Sequence, residues 1–203
     1  MMDRAPSTPF RMVLTVFLTC LISATALTFT YEATRERIAA QEREMERRAL
    51  TAVLTEGARF ERLEDIDLDR AAEVAGDVSV AGVWSAFDAN DAFIGYAVRC
   101  APRGYGGPIE MIVGLDRDGK VAGVNIITHD ETPGLGTKII TEPWFLQQFI
   151  GWEALEIQTA VRGYDTITGA TKSADAIRAG VVAVSRIYEE LLAEIDSGDG
   201  EEQ

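Results

Sequence analysis

The chain has 203 residues, of which 47% are apolar, 26% charged and 8% aromatic, a composition that fits one modest globular domain plus an additional segment. This composition excludes collagen-like, disulfide-scaffold and wholly disordered proteins. Asp and Glu total 33 against 19 Lys and Arg, so the formal charge is -14, and no stretch is dense enough in Lys and Arg to cover a phosphate backbone. Nucleic acid is therefore not expected as a partner.

Cysteine and histidine are scarce in this sequence. The two cysteines, Cys20 and Cys100, lie eighty residues apart, and His129 is the single histidine. These residues cannot assemble a disulfide framework or a zinc cluster, so we predict no metal site. Neither His129 nor Cys100 has a recognisable partner at a usable spacing, and we predict no catalytic residue. Any chemistry would then come from a cofactor.

An apolar stretch near the N-terminus predicts a single transmembrane helix over residues 12–31. Its twenty uncharged residues span roughly the 30 Å of a bilayer core. The alternatives are a cleaved signal peptide and a lipoprotein signal ending at Cys20, but the stretch is long for a signal core and its lead-in is a poor lipobox. Two arginines precede the span and five follow it among five glutamates, so basic residues alone do not decide its orientation.

A polar segment over residues 32–56 follows the span, without Gly or Pro and rich in Ala, Glu, Arg and Leu. This composition predicts that the helix continues as a stalk or as the first helix of the domain. Its alternating Glu and Arg residues are typical of a solvated helix face. Residues 49–203 carry 12 basic and 27 acidic side chains, a net charge of -15, so the soluble part is strongly acidic.

Short apolar or alternating runs dominate the region between residues 83 and 131. They predict three or four antiparallel strands, joined by hairpin turns at Asp88–Asp91 and Asp116–Gly119. The runs cover residues 83–87, 93–100, 109–115 and 121–128.

The C-terminal part of the chain predicts further helices. Pro143 begins a short helix that Gly151 ends, and a strand is expected at 155–157. From about Lys172, apolar residues recur at steps of three and four, which predicts an amphipathic helix of about twenty residues. We assign residues 57–195 to one α+β domain with an antiparallel sheet and flanking helices, and residues 196–203 to an acidic disordered tail.

The segment Asp165-Thr-Ile-Thr-Gly-Ala-Thr-Lys-Ser173 precedes this last helix directly. Backbone N–H groups at a helix start lack internal partners and lie at the positive end of the helix dipole, so an anion is stabilised there. A phosphate would fit against Thr171, because Gly169 and Ala170 allow close backbone approach and Lys172 adds a positive charge. The same residues also fit an ordinary N-cap, in which Thr168, Thr171 or Ser173 accepts a backbone hydrogen bond.

Two other glycine-rich segments predict loops that can approach a flat ligand. One is Glu131-Thr-Pro-Gly-Leu-Gly136, at the end of the last predicted strand of the sheet, and it also fits a plain connecting loop. The other is Gly104–Pro108, whose Tyr105 could cover an aromatic ring or cap the core.

Together these motifs resemble the FMN-binding domain family, in which FMN is joined through its phosphate to the last threonine of a Ser/Thr-Gly-Ala-Thr string. The motif order, the N-terminal span and the chain length are most similar to the G-subunit family of Rnf-type ion-translocating ferredoxin:NAD oxidoreductase complexes. The C-subunit family of the sodium-translocating NADH:quinone reductase shares both motifs, but its members are usually longer.

The resemblance implies covalent FMN on Thr171, formed by a flavin transferase that recognises the residues around it. It implies an electron carrier in the bacterial inner membrane that works with other proteins of a complex and is no catalyst on its own, with residues 1–11 cytoplasmic and the soluble domain periplasmic. The implied cofactor-binding residues are Thr171, Asp165, Thr168, Gly169, Ala170, Lys172 and Ser173 around the acceptor, and Glu131, Thr132, Gly134, Leu135 and Gly136 beside the flavin.

Two alternatives to the G-subunit family stay open at this point. The first is a related flavin carrier, either of the C-subunit family of the quinone reductase or a stand-alone membrane-tethered protein. The second is an assembly or sensor module without flavin, in which Thr168–Thr171 is only a helix cap.

Overall fold

A computed structural model describes residues 9–64, 66–134, 136–153 and 164–193. The chain divides into two units, Met1–Glu44 and Met45–Gln203. The expected strand at 155–157 and the expected tail at 196–203 lie outside the described residues.

Helix α1 runs from Pro9 to Val53. Among the described residues it is the one helix long and apolar enough to cross a membrane, with a window of mean hydropathy 2.1 and no burial inside the structure. Its threonines direct their hydroxyls to carbonyls one turn earlier, as in Thr15 Oγ1 to Arg11 O at 2.7 Å and Thr25 Oγ1 to Leu21 O at 2.8 Å. These bonds satisfy the hydroxyls within the helix, which an apolar surrounding requires.

The described part of the second unit contains a five-stranded antiparallel sheet with the strand order β1-β2-β3-β4-β5. The strands are β1 Arg59–Arg62, β2 Ser79–Phe87, β3 Phe93–Ala101, β4 Ile109–Asp116 and β5 Val121–His129. The four strands that the apolar runs predict are confirmed, and β2 begins four residues earlier than expected. Strand β1 was not predicted, because its sequence Arg-Phe-Glu-Arg has no apolar run.

The two predicted hairpin turns are present, each organised by an aspartate. Asp88 Oδ1 accepts hydrogen bonds from the Asn90 and Ala92 N–H groups at 2.7 and 2.9 Å. Asp116 Oδ1 accepts from the Asp118 and Lys120 N–H groups at 3.0 and 2.9 Å. Such side-chain bonds to the backbone are the reason aspartate favours turns.

The described part of the second unit contains four further helices: α2 Leu68–Ala75, α3 Lys138–Thr141, α4 Pro143–Gln147 and α5 Thr171–Ile187. A π-helical turn, Tyr188–Leu192, continues α5. The structure confirms a helix that begins at Pro143, but this helix ends at Gln147 and not at Gly151, and it confirms the long helix from about Lys172. Helices α2 and α3 are too short to show a sequence period.

The two faces of the sheet are covered by different helices. Helix α5 packs on one face through Ile177, Val181 and Val184, all of which are fully buried. The end of α1 covers the other face, where Ala49, Leu50 and Val53 are buried against the following sheet residues: Trp84, Ala86, Ala97 and Ile112.

Glycines and an ion pair hold the end of α1 close to the sheet. A Cβ at Gly114 or Gly123 would come within 2.9 or 2.8 Å of Val53, so only glycine permits this approach. Arg99 on β3 pairs with Glu46 of α1 at 3.1 Å and with Glu110 of β4 at 2.6 Å. Residues 45–53 therefore belong to the compact unit that contains the sheet.

Candidate functional site

Three segments that are distant in sequence line one cavity of about 330 Å³. The lining residues are Tyr105 from the glycine-rich loop, Glu131, Thr132 and Gly136 from the loop after β5, and Gly169, Ala170, Thr171, Lys172 and Ser173 at the start of α5. The fold therefore brings all three motifs that the sequence singled out to one place.

Helix α5 begins at Thr171, among the residues that line this cavity. Its N-cap residue is Ala170, and no side chain in the described part of the chain caps it. The Ala174 N–H is bonded to Ala170 O at 2.9 Å, which leaves the three earlier amides, at residues 171–173, without partners inside the helix. The serine or threonine cap that local sequence allows is thus not formed, and the positive end of the helix dipole faces the cavity lined by these residues.

A turn places Thr171 at this helix start. The Ala170 N–H donates to Ile167 O at 2.9 Å, and Gly169 between them has a φ of +84°. A β-turn with positive φ at its third residue favours glycine there, because a Cβ would clash with the backbone. The glycine of the motif therefore has a conformational role.

The four hydroxyl residues of the motif have different surroundings, and Thr166 is exposed and outside the cavity lining. Thr168 and Thr171 are exposed, but only Thr171 is among the cavity-lining residues. Ser173 is 1% exposed, and its Oγ donates to Glu131 Oε2 at 2.7 Å. Thr171 is thus the motif hydroxyl that is both accessible and inside the cavity.

Glu131 is a buried carboxylate, 5% exposed. Its Oε1 accepts hydrogen bonds from the Tyr105 N–H at 2.8 Å and the Gly106 N–H at 3.3 Å. Its own N–H donates to His129 Nδ1 at 3.2 Å. A carboxylate can remain buried only when such donors surround it.

The loop after β5 turns tightly between Thr132 and Thr137. Thr132 O accepts from the Gly136 N–H at 3.1 Å, and Thr137 Oγ1 accepts from the Gly134 N–H at 3.0 Å. Gly134 has a φ of +78°. Thr132 and Gly136 line the cavity, Gly134 is exposed nearby in the chain, and Leu135 lies outside the described residues.

Asp165 contributes its backbone to this region. Its N–H donates to Gln148 Oε1 at 2.8 Å, and its carbonyl accepts from Gln148 Nε2 at 3.2 Å. The Asp165 side chain is exposed and is not among the cavity-lining residues. Gln148, which follows α4, was not predicted from the sequence, because a single glutamine on a short helix gives no signal.

Tyr105 is a cavity residue that the sequence left open between two roles. Its side chain is 69% exposed, so it does not cap the core. The Lys172 Nζ atom lies 5.8 Å from the centre of its ring, within reach of a cation–π interaction. An aromatic face and a positive charge thus line the same cavity as Thr171.

Cys100 lies in the sheet interior and takes no part in this site. It is fully buried, and burial raises the pKa of its thiol to about 12. A thiol of this kind stays protonated and is unreactive at neutral pH.

Comparison with known families identifies this class of domain. A model of the FMN-binding domain matches residues 104–185, from the glycine-rich loop into α5. The match therefore includes every segment that lines the cavity. The chain contains an FMN-binding domain.

Known relatives extend the match beyond that domain. The G subunit of the ion-translocating oxidoreductase complex of Aliivibrio fischeri is 35% identical over 81% of this chain and 82% of its own length. The G subunit of the Na⁺-translocating ferredoxin:NAD⁺ oxidoreductase complex of Acetobacterium woodii is 29% identical over 90% of this chain and 92% of its own length. The G subunit of the ion-translocating oxidoreductase complex of Methanosarcina acetivorans is 26% identical over 82% of this chain and 87% of its own length. The chain belongs to the G-subunit family of ion-translocating oxidoreductase complexes.

The cavity fits the cofactor of this family. Three amides without helix partners suit a phosphate, and glycine at residue 169 leaves the approach to them open. The exposed ring of Tyr105 offers an apolar face to a planar ring system. The phosphate and the ring system of FMN therefore both have suitable surroundings among the described residues.

Proposed function

We propose that this chain is a membrane-anchored electron-transfer subunit of an ion-translocating ferredoxin:NAD oxidoreductase complex, with FMN bound covalently to Thr171. The observation that carries the proposal is the accessible Thr171 hydroxyl, at an uncapped helix start inside a cavity formed by the three motifs. The G-subunit relatives support the kind of complex. They also favour this family over the C-subunit family of the quinone reductase.

The residues of the cavity hold the cofactor in separate ways. Thr171 Oγ would form the phosphoester by attacking the flavin phosphate of a pyrophosphate-activated flavin donor held by the flavin transferase, losing its hydroxyl proton while the donor's other phosphate departs. The amides at the start of α5 and the charge of Lys172 would stabilise the remaining phosphate charge. Thr132, Gly136 and Tyr105 line the same cavity and would hold the ring system there. When bound, FMN supplies the capacity to accept and release electrons, and the protein orients it and excludes part of the solvent.

A covalent linkage suits the charge of this domain. A free FMN dianion would be repelled by a region with a net charge of -15, whereas a phosphodiester carries one negative charge fewer and cannot dissociate. The linkage keeps the carrier loaded through repeated oxidation and reduction. It also requires a flavin transferase as a partner during maturation.

The test is the mass of the chain after co-expression with a flavin transferase. We expect an increment equal to FMN minus one water, which peptide mapping locates at Thr171. The increment is lost in Thr171→Ala and retained in Thr168→Ala, a matched control in the same motif that is exposed but outside the cavity. Colourless protein of unmodified mass would instead favour an assembly or sensor module.

We further propose that α1 anchors the chain in the bacterial inner membrane, with the soluble domain on the periplasmic side. The apolar window of α1 supports the anchor, and the orientation follows the family resemblance. Protease added to spheroplasts should digest the domain, and protease added to inside-out vesicles should leave it intact. The reverse pattern would place the domain in the cytoplasm.

A further inference from the structure

The Glu131 carboxylate joins two segments that meet only in the folded protein. Oε1 accepts from the Tyr105 and Gly106 amides of the glycine-rich loop, and Oε2 accepts from the Ser173 hydroxyl in the first turn of α5. Glu131 and Ser173 are 5% and 1% exposed, so these bonds are shielded from water. Hydrogen bonds to a carboxylate in such surroundings are stronger than neutral ones.

Two glycines make room for this carboxylate. A Cβ at Gly104 would overlap Glu131 Oε1, and a Cβ at Gly136 would overlap Glu131 Oε2. Gly104 precedes Tyr105 in the glycine-rich loop, and Gly136 belongs to the loop after β5. The two loops are therefore shaped around Glu131 as well as around the cavity.

The loop that carries Tyr105 is closed by a bond from the Gly104 N–H to Gly107 O at 2.8 Å, and Glu131 attaches this loop to the rest of the site. The Tyr105 N–H is held at 2.8 Å from the carboxylate, whereas its side chain projects to 69% exposure and lines the cavity. The described contacts that fix the ring are therefore those of its backbone, together with Lys172 at 5.8 Å. Loss of the carboxylate would remove the bonds that the Tyr105 and Gly106 amides make to it, and so would free the tip of the loop that carries this ring.

We propose that Glu131 is a positioning residue, which holds the glycine-rich loop Gly104–Pro108 against the start of α5 and so keeps Tyr105 beside Thr171. Ser173 then serves as the hydrogen-bond partner of Glu131 and is not a residue that the flavin transferase contacts. The expected consequence of this positioning is faster and more complete FMN addition, and that consequence rests on the proposed function. We call the hydrogen bonds of Glu131 to Tyr105, Gly106 and Ser173 the clamp, and these bonds do not depend on the flavin.

The primary test measures the clamp without flavin. Amide hydrogen exchange is recorded for the full-length chain in detergent, produced without a flavin transferase. In Glu131→Ala we expect the Tyr105 and Gly106 amides to exchange at least about tenfold faster, since bonds to a charged acceptor contribute about 1.5 kcal/mol or more. In Glu131→Gln most of the protection should return, because an amide oxygen can accept both N–H bonds and its NH2 can donate to Ser173.

If Glu131→Ala does not fold, the variant Ser173→Ala tests the same hydrogen bonds. It removes one partner of the carboxylate, and we expect about threefold faster exchange at Tyr105 and Gly106 with unchanged exchange at Val181 in the core of α5. The matched control is Ser185→Ala, another buried serine of α5, whose Oγ donates to Val181 O at 3.0 Å and contacts neither loop. Wild-type exchange at Tyr105 and Gly106 in Ser173→Ala would overturn the clamp.

A second measurement connects the clamp to the flavin. The time course of FMN addition by a flavin transferase is followed by intact mass for the same variants. We expect addition to slow at least about tenfold in Glu131→Ala, to recover largely in Glu131→Gln and to be unchanged in Ser185→Ala. If the wild type never gains the increment, the proposed function fails while the exchange data still decide the clamp. If Glu131→Ala folds and gains it at the wild-type rate, the positioning role is wrong.

Discussion

Helices α2 and α5 begin in opposite ways. At α2 the Asp67 side chain accepts hydrogen bonds from the Asp69 and Arg70 amides at 3.0 and 3.1 Å. At α5 the N-cap is Ala170, and no cap from a side chain is present among the described residues. Two of the first three amides of α2 are satisfied by the Asp67 side chain, whereas the amides at the start of α5 remain available to an external anion.

The hydroxyl residues near α5 make this difference informative. Thr168, Thr171 and Ser173 could each act as a cap by residue type, yet Ser173 donates to Glu131 and Thr171 faces the cavity. An uncapped helix start beside suitable side chains costs stability, about 1 kcal/mol for a missing cap. Such a cost is expected at a site that receives its anion after folding.

The largest expected effect comes from replacing the acceptor with a charge. Thr171→Asp should abolish FMN addition completely and stabilise the unmodified domain by about 0.5 kcal/mol, because a carboxylate in the first turn favours the helix dipole. The counterpart Asp67→Ala should destabilise the domain by about 1 kcal/mol and leave FMN addition unchanged. Intact mass and urea denaturation measure both effects. Flavin on the Thr171→Asp chain would show that the acceptor lies elsewhere.

Two glycines with positive φ give the next contrast. Gly169 precedes α5 with a φ of +84°, and Gly76 follows α2 with a φ of +69°. Alanine at either residue should lower the free energy of unfolding by about 1 to 2 kcal/mol, because an L side chain is strained there. Only Gly169→Ala should slow FMN addition, since it moves the turn that presents Thr171. Equal rates in both variants would mean that this turn does not position the acceptor.

The smallest expected effect concerns the basic side chains of the two first turns. Lys172→Gln should slow FMN addition about two- to fivefold, with a larger effect at low salt, because one exposed charge at the α5 start is lost. Arg70→Gln in the first turn of α2 is the matched control and should leave the rate unchanged. A rate in Lys172→Gln that does not vary with salt would exclude an electrostatic role for Lys172.

The elements that could be predicted are those with a clear period or run of apolar residues. Helix α5 shows apolar residues at steps of three and four, and β2 to β5 show apolar runs between turn residues. Strand β1 is polar and exists because it pairs with β2. Helix α2 has only eight residues, of which Ala71 and Ala75 are buried, too few for a recognisable pattern.

The residues of the site also differ in whether a local sequence pattern predicts them. Thr171, Gly169 and the loop after β5 were predicted from their motifs, and the structure brings Thr171, Gly169, Glu131, Thr132 and Gly136 to one cavity. The partners of Glu131 could not be predicted, because Tyr105, Gly106 and Ser173 lie 25 to 42 residues from it in sequence. Gln148, which binds the backbone of Asp165 from 17 residues away, was not predicted because a single glutamine gives no signal in the sequence.

The sequence alone determined the features that depend on neighbouring residues: an apolar span, a strongly acidic domain, turns at aspartate and glycine, and a hydroxyl before an amphipathic helix. Only the tertiary structure decided that no side chain among the described residues caps this helix start, that Ser173 donates to a buried carboxylate and that Tyr105 lines the same cavity as Thr171. The physical reason is that hydrogen bonds between distant segments depend on the packing of the sheet and helices, which no local pattern encodes.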